Sequence, residues 1–499
     1  MAKEKTVKIG LLGSGTIGTG VQDIILKDSS SLYKKLGYRL SIEKIYTELP
    51  KERKWYSKYP EKFTEKPEDV LNADVDIIVE VLGLREPEKD APLVKSLILK
   101  ALENGKSVVT ANKAVLARYG REIHEKAKER GVQVRYEASV AGGIPIIRAL
   151  GEGLISDKIT SIYGILNGTC NYILSGMNKN KTYREALEEA QKKGYAETNP
   201  DADVKGYDTR DKVIVLLQLV YGLFPSKSEI LTEGIDMLER IDFSYAKEKL
   251  RYPGNIKLLG FIENNNREIS ARISPAIIRE THILSRVNGS YNAIFVESEY
   301  CEKACYMGRG AGAHPTANSI ISDIISIADG KKHVGAGLKP APTSLYMLRR
   351  DVNGKHRHYI RFLVKNQAGI VSNILGILFN YAERKREEIH VDEVLQIEHP
   401  NEERRYLKEA YKNKYEKLLV QSPPPSPPPH GGRVWDVVKK KYDSLAKCDV
   451  KDILPFAITL EPCKTDIIRN AIEEINKEAY ILTEPLLLRM LWDLPDLQD

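Results

Sequence analysis

The sequence has few cysteines and no long apolar run. Five cysteines stand among 499 residues at irregular spacing. Cys301 and Cys305 are four residues apart, but no second pair completes a zinc site. No apolar run reaches the length that spans a bilayer, and the opening MAKEKTVKIG has no apolar signal-peptide core. We therefore expect no membrane association and free thiols in a reducing cytoplasm.

The chain also lacks an excess of one charge. Its net charge of +7 is small beside 76 basic and 69 acidic residues, and the two signs are mixed along the sequence. No basic face is concentrated enough to neutralise a phosphate backbone, so we expect no nucleic-acid partner. A chain of 499 residues exceeds one ordinary hydrophobic core, so we expect about two to four domains.

A glycine-rich motif follows the first predicted strand. The apolar segment 6–12 runs into GSGTIGTG, whose glycines have G-x-G-x-x-G spacing, and a helix pattern follows over 17–26. In this context the first glycine permits a tight turn, the second lets the backbone approach a pyrophosphate, and the third lets helix pack on strand. The phosphates would meet the helix N-terminus. A plain glycine turn is the alternative to a dinucleotide site made of Gly13, Gly15, Thr16, Ile17 and Gly18.

The second predicted strand, near 42–47, ends at Glu48. An acid at this place bonds the ribose 2′-hydroxyl and repels a 2′-phosphate, which favours NAD. Lys51, Arg53 and Lys54 lie just beyond and could hold that phosphate, which favours NADP. The sequence leaves the choice between the two cofactors open.

Segments further along alternate between strand and helix patterns. Strands are predicted at 76–82, 107–110 and 132–137, and helices at 91–104 and 121–130. Such alternation predicts a parallel, doubly wound α/β sheet of the Rossmann type. Lys113 falls just beyond the carboxyl end of the strand 107–110, at the sheet edge where such folds bind ligands.

An acidic segment ends in a lysine. Residues 194–212, GYAETNPDADVKGYDTRDK, set five carboxylates ahead of Lys212, and the apolar helix pattern VIVLLQLVYG follows. Carboxylates suit the positive end of a helix, so a solvated helix start is one interpretation. A lysine held among acids beside a dinucleotide fold is instead typical of proton transfer accompanying hydride transfer.

Several blocks occur in order along residues 6–330. They are TANK, YEASVAGGIP, NGTCNYIL, the acidic segment and GRGAGAHPTA. Together these blocks resemble homoserine dehydrogenase. The resemblance implies NADP or NAD as cofactor, and it implies interconversion of L-homoserine and L-aspartate 4-semialdehyde in threonine, methionine and isoleucine biosynthesis. It also implies a nucleotide-binding domain, a mixed α/β catalytic and dimerisation domain, and a homodimer or homotetramer.

Carried over position by position, the resemblance implies roles for single residues. Lys212 would be the acid/base group, with Lys113 as the second lysine beside the substrate. The substrate would be bound by Glu197, Asp208, Asp203, Tyr195 and Thr169. Gly310 and Gly312 would lie near the nicotinamide. A monovalent cation such as Na⁺ would be held, largely by backbone carbonyls, at Glu137, Val140, Gly142 and Ile144; an ordinary glycine-rich turn is the alternative there.

Cys170 departs from the family pattern, which usually has a hydroxyl residue at that place. We interpret it as a packing residue, because no partner histidine lies at an obvious spacing. A phosphorylating semialdehyde dehydrogenase would need an activated cysteine, which the sequence does not supply. The other alternative is a catalytically silent sensor of nucleotide and amino acid. Such a sensor would be expected to lose at least one of Lys212, Lys113 and Glu197, and all three are present.

The last third of the chain has its own pattern. Strand, helix and strand are predicted over 359–398 and again from 456 onward, which is a ferredoxin-like arrangement. It resembles the ACT domain of many homoserine dehydrogenases, and the resemblance implies a small-amino-acid effector such as threonine near the turn Asn366 to Gly369. A charged stretch and SPPPSPPP interrupt this unit over 401–451. We expect a mostly mobile surface insertion with no catalytic role.

The predicted domain organisation has four parts. Residues 1–148 bind the nucleotide, with a return of the chain to this domain at 309–335. Residues 149–308 form the catalytic and dimerisation domain. Residues 336–357 form a linker, and residues 358–499 form the ACT-like unit with its insertion.

Overall fold

The computed structural model describes residues 5–331, 346–349, 355–396, 401–421 and 432–492, without the side chains of 401, 417–421 and 432–438. The first region alternates strands and helices. Its elements are β1 Thr6–Leu12, α1 Thr16–Lys27, α2 Ser29–Leu36, β2 Arg39–Tyr46, β3 Phe63–Thr64, α3 Pro67–Asn72, β4 Ile77–Glu80, α4 Pro87–Glu103, β5 Ser107–Thr110, α5 Lys113–Arg130 and β6 Val134–Arg135.

These strands form a parallel sheet. Its order in the described chain is β3-β2-β1-β4-β5-β6, and each neighbouring pair is parallel. The four residues of β4 are all buried, as expected for a parallel strand covered on both faces. The order reverses between β1 and β4, and the crevice at their carboxyl ends is where such sheets bind ligands. The predicted doubly wound, Rossmann-type sheet is confirmed.

The second region forms a mixed α/β layer. Its elements are α6 Ile146–Arg148, β7 Ile159–Ile165, α7 Gly168–Met177, α8 Tyr183–Lys192, α9 Asp201–Val204, α10 Tyr207–Tyr221, β8 Leu231–Thr232, α11 Arg240–Glu248, β9 Gly254–Asn265, β10 Glu268–Arg279, β11 Tyr291–Ser298, β12 Glu302–Arg309 and α12 Ala313–Ala328. Strands run antiparallel in the order β12-β11-β7-β9-β10. α7 and α10 cover one face, where Cys170 and Val213 share a core with Ile162 and Ile294.

Helix α12 leaves this second region and packs on α1 of the first. The contact is close, because a Cβ at Gly20 would lie 2.7 Å from the carbonyl oxygen of Ala313. Ala317, Ile320 and Ile324 of α12 are buried in the core beneath the parallel sheet. The first residues of α12 therefore stand beside the glycine-rich turn.

The third region completes the second sheet. Its elements are β13 Met347–Arg349, β14 Lys355–Lys365, α13 Ile370–Arg384, β15 Val391–Leu395, α14 Asn401–Gln421, α15 Gly432–Lys447, β16 Ile453–Lys464, α16 Thr465–Ile475 and β17 Leu486–Leu491. Four of the strands follow the order β17-β14-β16-β15 with antiparallel pairing, and α13 packs on α16. This is the β-α-β-β-α-β arrangement of ferredoxin-like units.

The ferredoxin-like unit is joined to the second region by strand pairing. β17 pairs in parallel with β10, with Ala276 opposite Arg489 and Ile278 opposite Leu491. The sheet of the second region and the sheet of the ferredoxin-like unit are therefore one continuous sheet. The C-terminal unit packs as an extension of the second region. The domain boundaries given above remain predictions.

The insertion between β15 and β16 is a packed pair of helices, α14 and α15. Leu407, Tyr411 and Tyr415 of α14 are buried, and so is Leu445 of α15. The expectation of a mostly mobile surface insertion is wrong for these helices. Apolar residues at i, i+4 and i+8 form a stripe that their charged neighbours conceal in the sequence. The proline run 423–429 and most of the predicted linker lie outside the described residues.

None of the described helices combines the length and the apolar character that crossing a membrane requires.

Candidate active site

The glycine-rich turn has one open position between two tightly packed ones. Gly13 has a φ of +111°, and a Cβ there would lie 2.7 Å from the carbonyl oxygen of Val81. A Cβ at Gly18 would lie 2.2 Å from the carbonyl oxygen of Gly13. Nothing lies within 4 Å of a Cβ at Gly15, which caps the N-terminus of α1. Close packing fixes the first and third glycines, and the second leaves room above a helix N-terminus. The exposed Thr16 and half-buried Ile17 form the first turn of α1.

Both signs of charge meet at the carboxyl end of β2. Glu48 is exposed, and its Oε2 lies 3.0 Å from the guanidinium of Arg85. Arg53 donates to the hydroxyl of Thr47 at 3.0 Å. Lys54 is held by Asp23 at 2.7 Å. Arg85 is a further cation at this edge that no local sequence pattern indicates, and the balance of charges leaves the choice between NAD and NADP open.

Asp208 stands between the two predicted active-site lysines. Its Oδ2 lies 2.7 Å from Nζ of Lys212, and its Oδ1 lies 3.2 Å from Nζ of Lys113. Lys212 also donates to the carbonyl oxygen of Leu166 at 2.6 Å and is buried. Lys212 comes from the first turns of α10, whereas Lys113 opens α5 of the nucleotide-binding region. The cluster thus spans the junction between the two regions.

Asn167 ties two acidic side chains together. Its amide nitrogen donates to Asp203 at 2.7 Å and to Asp208 at 2.9 Å. Its amide oxygen accepts from the backbone N–H of Cys170 and so caps α7. The role of Asn167 was not predicted from the sequence, although an asparagine ahead of a helix pattern is a recognisable cap. Thr169 follows in the same turn and donates to the carbonyl oxygen of Tyr195 at 2.7 Å.

The electrostatics of the cluster depend on burial and on these pairings. Burial would raise the pKa of Asp208, but the ammonium groups of Lys212 and Lys113 hold it well below its usual range. The Asp208 carboxylate in turn raises the pKa of Lys113 against the effect of burial. Burial and the neighbouring Asp208 raise the pKa of Asp203. Lys113 is therefore a stable ammonium group, and Asp208 is a stable carboxylate.

A buried glutamate holds the loop that carries Lys113. Glu80, the last residue of β4, accepts from the hydroxyl of Thr110 at 2.5 Å, from the amide of Asn112 at 3.1 Å and from the N–H of Leu82 at 2.8 Å. The structure thus assigns Glu80 a part in positioning the TANK loop. The signal in the sequence is an acid that ends an otherwise apolar strand.

Glu197 lies apart from this cluster. It is exposed in the loop between α8 and α9, and its carboxylate has no hydrogen bond or ion pair with any described residue. Its backbone carbonyl accepts from Gln191 at 3.1 Å. Tyr195 is also exposed, and its ring lies against that of Tyr172. The structure does not bring Glu197 into contact with the lysines.

The predicted cation ligands lie in a loop against the 308–312 turn. Glu137 accepts the N–H groups of Ile147 and Arg148 at 2.8 and 3.0 Å. The carbonyl oxygen of Gly142 accepts from Ser319, and a Cβ at this glycine would lie 2.4 Å from the carbonyl oxygen of Gly310.

The remaining two predicted ligands, Val140 and Ile144, are buried. Gly312, with a φ of +122°, caps α12. Within the described chain, no three His, Cys, Asp or Glu side chains are grouped to hold a metal.

Cys170 is fully buried beneath the cluster. Its Sγ lies 3.2 Å from the carbonyl oxygen of Asp203. Burial and the nearby acids raise the pKa of the thiol well above its ordinary value. A buried neutral thiol is a poor nucleophile, which agrees with a packing role.

Comparison with known proteins supplies the family. The protein-family model described as "Homoserine dehydrogenase, NAD binding domain" matches residues 13–137. The protein-family model described as "Homoserine dehydrogenase" matches residues 145–325. The homoserine dehydrogenase of Neisseria gonorrhoeae is 37% identical over 382 residues, which cover 75% of this chain and 86% of that protein.

Solved structures agree. A homoserine dehydrogenase from Thiobacillus denitrificans has 26% identity and a TM-score of 0.76, and the match covers 98% of this chain and 99% of that one. A hyperthermophilic archaeal homoserine dehydrogenase in complex with NADPH has 25% identity and a TM-score of 0.55, covering 66% of this chain and all of that one (100%). The chain therefore belongs to the homoserine dehydrogenase family and is an NAD(P)-dependent oxidoreductase.

Proposed function

We propose that this chain interconverts L-homoserine and L-aspartate 4-semialdehyde at the junction of its first two regions. The observation that carries the proposal is the Lys113–Asp208–Lys212 cluster, in which Lys113 of the nucleotide-binding region meets two residues of the acidic segment. A bound nicotinamide would supply the hydride acceptor for the carbon that bears the homoserine hydroxyl. The hydroxyl proton must leave at the same time, and the chain supplies groups to receive it.

The two lysines suit different tasks. Lys113 is kept as an ammonium group by Asp208, so we assign it to holding negative charge on the substrate. Lys212 is buried and hydrogen-bonded to Leu166, so its amine is oriented for proton exchange with the hydroxyl. In the direction of reduction the Lys212 ammonium group donates the proton. In the direction of oxidation it must first release a proton to solvent, and the neutral amine then accepts the hydroxyl proton.

The remaining predicted residues would surround the substrate and the cofactor. Carboxylates meet an α-ammonium group well, and Asp203 and Asp208 are already fixed by Asn167. Tyr195, whose carbonyl oxygen accepts from Thr169, and the exposed Glu197 two residues further on would complete the substrate site. The cofactor phosphates would lie on Gly13, Gly15, Thr16, Ile17 and Gly18, with Glu48 at the ribose and Gly310 and Gly312 near the nicotinamide.

One assay tests this proposal. Purified protein is mixed with L-homoserine and either NAD or NADP, and the reduced nicotinamide is followed by its absorbance. We expect homoserine-dependent reduction with at least one cofactor. A catalytically silent sensor would bind nucleotide without any turnover in either direction, and that result would overturn the proposal.

The monovalent cation is a second part of the proposal. Two successive residues with positive φ, Ala141 at 54° and Gly142 at 52°, turn the backbone of the predicted cation loop. The backbone carbonyl oxygens of this loop would be the ligands, since hard cations prefer oxygen donors. Turnover measured with Na⁺ and with a bulky organic cation as the only counterion tests this, since equal rates would remove the cation from the reaction.

We further propose that the ferredoxin-like unit is an ACT-type regulatory domain. Its β-α-β-β-α-β order supports this, as does Gly369, which caps α13 with a φ of +80° after the turn that begins at Asn366. L-Threonine inhibition that is lost in Asn366→Ala would support an effector at this turn.

We propose that the chain forms a homodimer or homotetramer. The exposed tyrosine and methionine side chains near the outer strand β12 support this, because they would be buried in a subunit interface. Light scattering coupled to size-exclusion chromatography tests the oligomeric state, and a monomer at micromolar concentration would contradict it.

A further inference from the structure

A cavity of about 400 Å³ lies between the ferredoxin-like unit and the second region. One wall is the exposed side of α16, and a second is the chain from Glu484 into β17. The third wall is the segment 233–237 with Pro275 of β10. This cavity is distinct from the glycine-rich turn and from the Asn366 to Gly369 turn, since its lining contains no residue of either. Its size is that of an ordinary small-molecule site.

The lining combines both charges with an apolar surface. Arg469 pairs with Glu233 at 2.8 Å through one guanidinium nitrogen, and each side chain is about a third exposed. The other guanidinium donors of Arg469 have no hydrogen-bond partner among the described residues. Glu473 and Glu484 add two more carboxylates. The apolar part of the lining is Met237, Pro275, Ile472, Leu486, Leu487 and Leu488.

The helical insertion braces the same cavity. Lys441 of α15 donates to the carbonyl oxygens of Asn476 and Ile481 at 2.9 and 2.8 Å. Lys414 of α14 contacts the sulfur of Met237. The side-chain oxygen of Asn476, which lines the cavity, is buried and lacks a hydrogen-bond partner among the described residues. The insertion helices, the ferredoxin-like unit and the second region thus hold the cavity walls in place. The side-chain oxygen of Asn476 remains available to accept a hydrogen bond from a ligand.

We propose that this cavity binds a small zwitterionic α-amino acid with an aliphatic side chain. The free donors of Arg469 would pair with its carboxylate, because a guanidinium matches a carboxylate in a two-bond geometry. Its ammonium group would meet Glu473 or Glu484, and its side chain would lie on the leucines of β17. A ligand that carries only a negative charge would be repelled by the carboxylates of Glu233, Glu473 and Glu484. A ligand that carries only a positive charge would leave the free guanidinium donors of Arg469 without a partner.

The cavity wall touches the acidic segment of the active site. The N–H of Ile235 donates to the carbonyl oxygen of Val204 at 2.7 Å, and a Cβ at Gly234 would lie 2.2 Å from that same oxygen. Val204 follows Asp203, which is bonded to Asn167. An occupant that displaces 233–237 therefore displaces α9, and we expect it to change the KM for homoserine.

Calorimetric titration of the full-length protein tests the site directly. The ligands are L-valine, L-isoleucine, L-methionine and L-threonine, together with 3-methylbutanoate and isobutylamine, which lack the ammonium and the carboxylate of valine. We expect at least one amino acid to bind with a Kd of about 1 mM or tighter. We expect the two analogues to bind about 10-fold or more weakly than valine.

Variants then locate the binding. Arg469→Met should weaken binding about 10-fold or more, and Ile472→Trp should abolish it by filling the cavity. Arg384→Met is the matched control, because this arginine pairs with Glu474 on the outside of the same unit and lines no part of the cavity. Circular dichroism checks that each variant folds.

Three results would overturn the proposal. They are the absence of binding by all four amino acids, binding that survives in Ile472→Trp, and binding that is lost in Asn366→Ala but kept in Arg469→Met. The titration needs no turnover, so its failure is distinct from failure of the proposed homoserine reaction.

Discussion

Replacing Lys212 by alanine should slow homoserine oxidation about 100-fold or more, the usual scale for loss of a positioned acid/base group. That loss corresponds to about 2.7 kcal/mol of transition-state stabilisation. The change removes two contacts of the ammonium group, at 2.7 Å to Asp208 and at 2.6 Å to Leu166. Asp208 keeps Lys113 at 3.2 Å and Asn167 at 2.9 Å, so the carboxylate is not left unpaired. The free energy of unfolding should therefore fall by only about 1–3 kcal/mol.

The segment offers a matched control for this variant. Lys205 pairs with Asp201 at 2.7 Å with the same i, i+4 spacing, but both side chains are about half exposed. Lys205→Ala should leave turnover unchanged, since exposed pairs contribute little. Lys212→Arg separates charge from proton transfer, because a guanidinium keeps its charge and does not give up a proton at working pH.

The assay measures kcat, KM for homoserine and Kd for the cofactor in each variant. We expect a fall in kcat for both Lys212 variants with a nearly constant cofactor Kd. Wild-type turnover in Lys212→Ala would show that this lysine only balances the charge of Asp208. Full turnover in Lys212→Arg alone would assign it a purely electrostatic role.

Gly18→Val should lower Tm and cofactor affinity together, because a Cβ there would lie 2.2 Å from the carbonyl oxygen of Gly13; thermal melts with and without NADP check this, and unchanged melts would contradict it. Arg361→Met should lower the free energy of unfolding by about 3–5 kcal/mol, because it removes the buried partner of Asp242; urea unfolding measures this, and an unchanged midpoint would refute it. Burial raises the pKa of Glu239 to about 7, so the folded chain keeps a proton that the unfolded chain loses near pH 4.3. Stability should therefore decline from about pH 4 through about pH 7, by up to about 4 kcal/mol, and Glu239→Gln should flatten this decline in a pH series of melts.

Local patterns were enough to predict the nucleotide-binding sheet. Strict apolar runs, glycine spacing and alternation fix parallel strands, and the observed β2, Arg39–Tyr46, lies close to the predicted 42–47. Helix α2 was missed, because its Ser-rich start and lack of buried residues resemble an insertion.

Contacts between distant segments could not be predicted in the same way. Nothing local shows that Asn167 bridges Asp203 and Asp208, or that Glu80 holds the TANK loop, because each depends on how strands and helices meet. The packing of α14 could not be predicted for the same reason. Its apolar residues are four positions apart within a highly charged stretch. Sequence patterns specified which chemical groups are present, and tertiary packing decided which of them touch.

The pairing of β17 with β10 has a consequence for synthesis of the chain. On the ribosome β10 is synthesised long before β17. The edge of β10 around Ala276 to Ile278 therefore remains unpaired with β17 while the ferredoxin-like unit is translated. An uncovered strand edge is a template for pairing with other chains. Polypeptides that stop short of β17 should therefore aggregate rather than persist as folded enzymes.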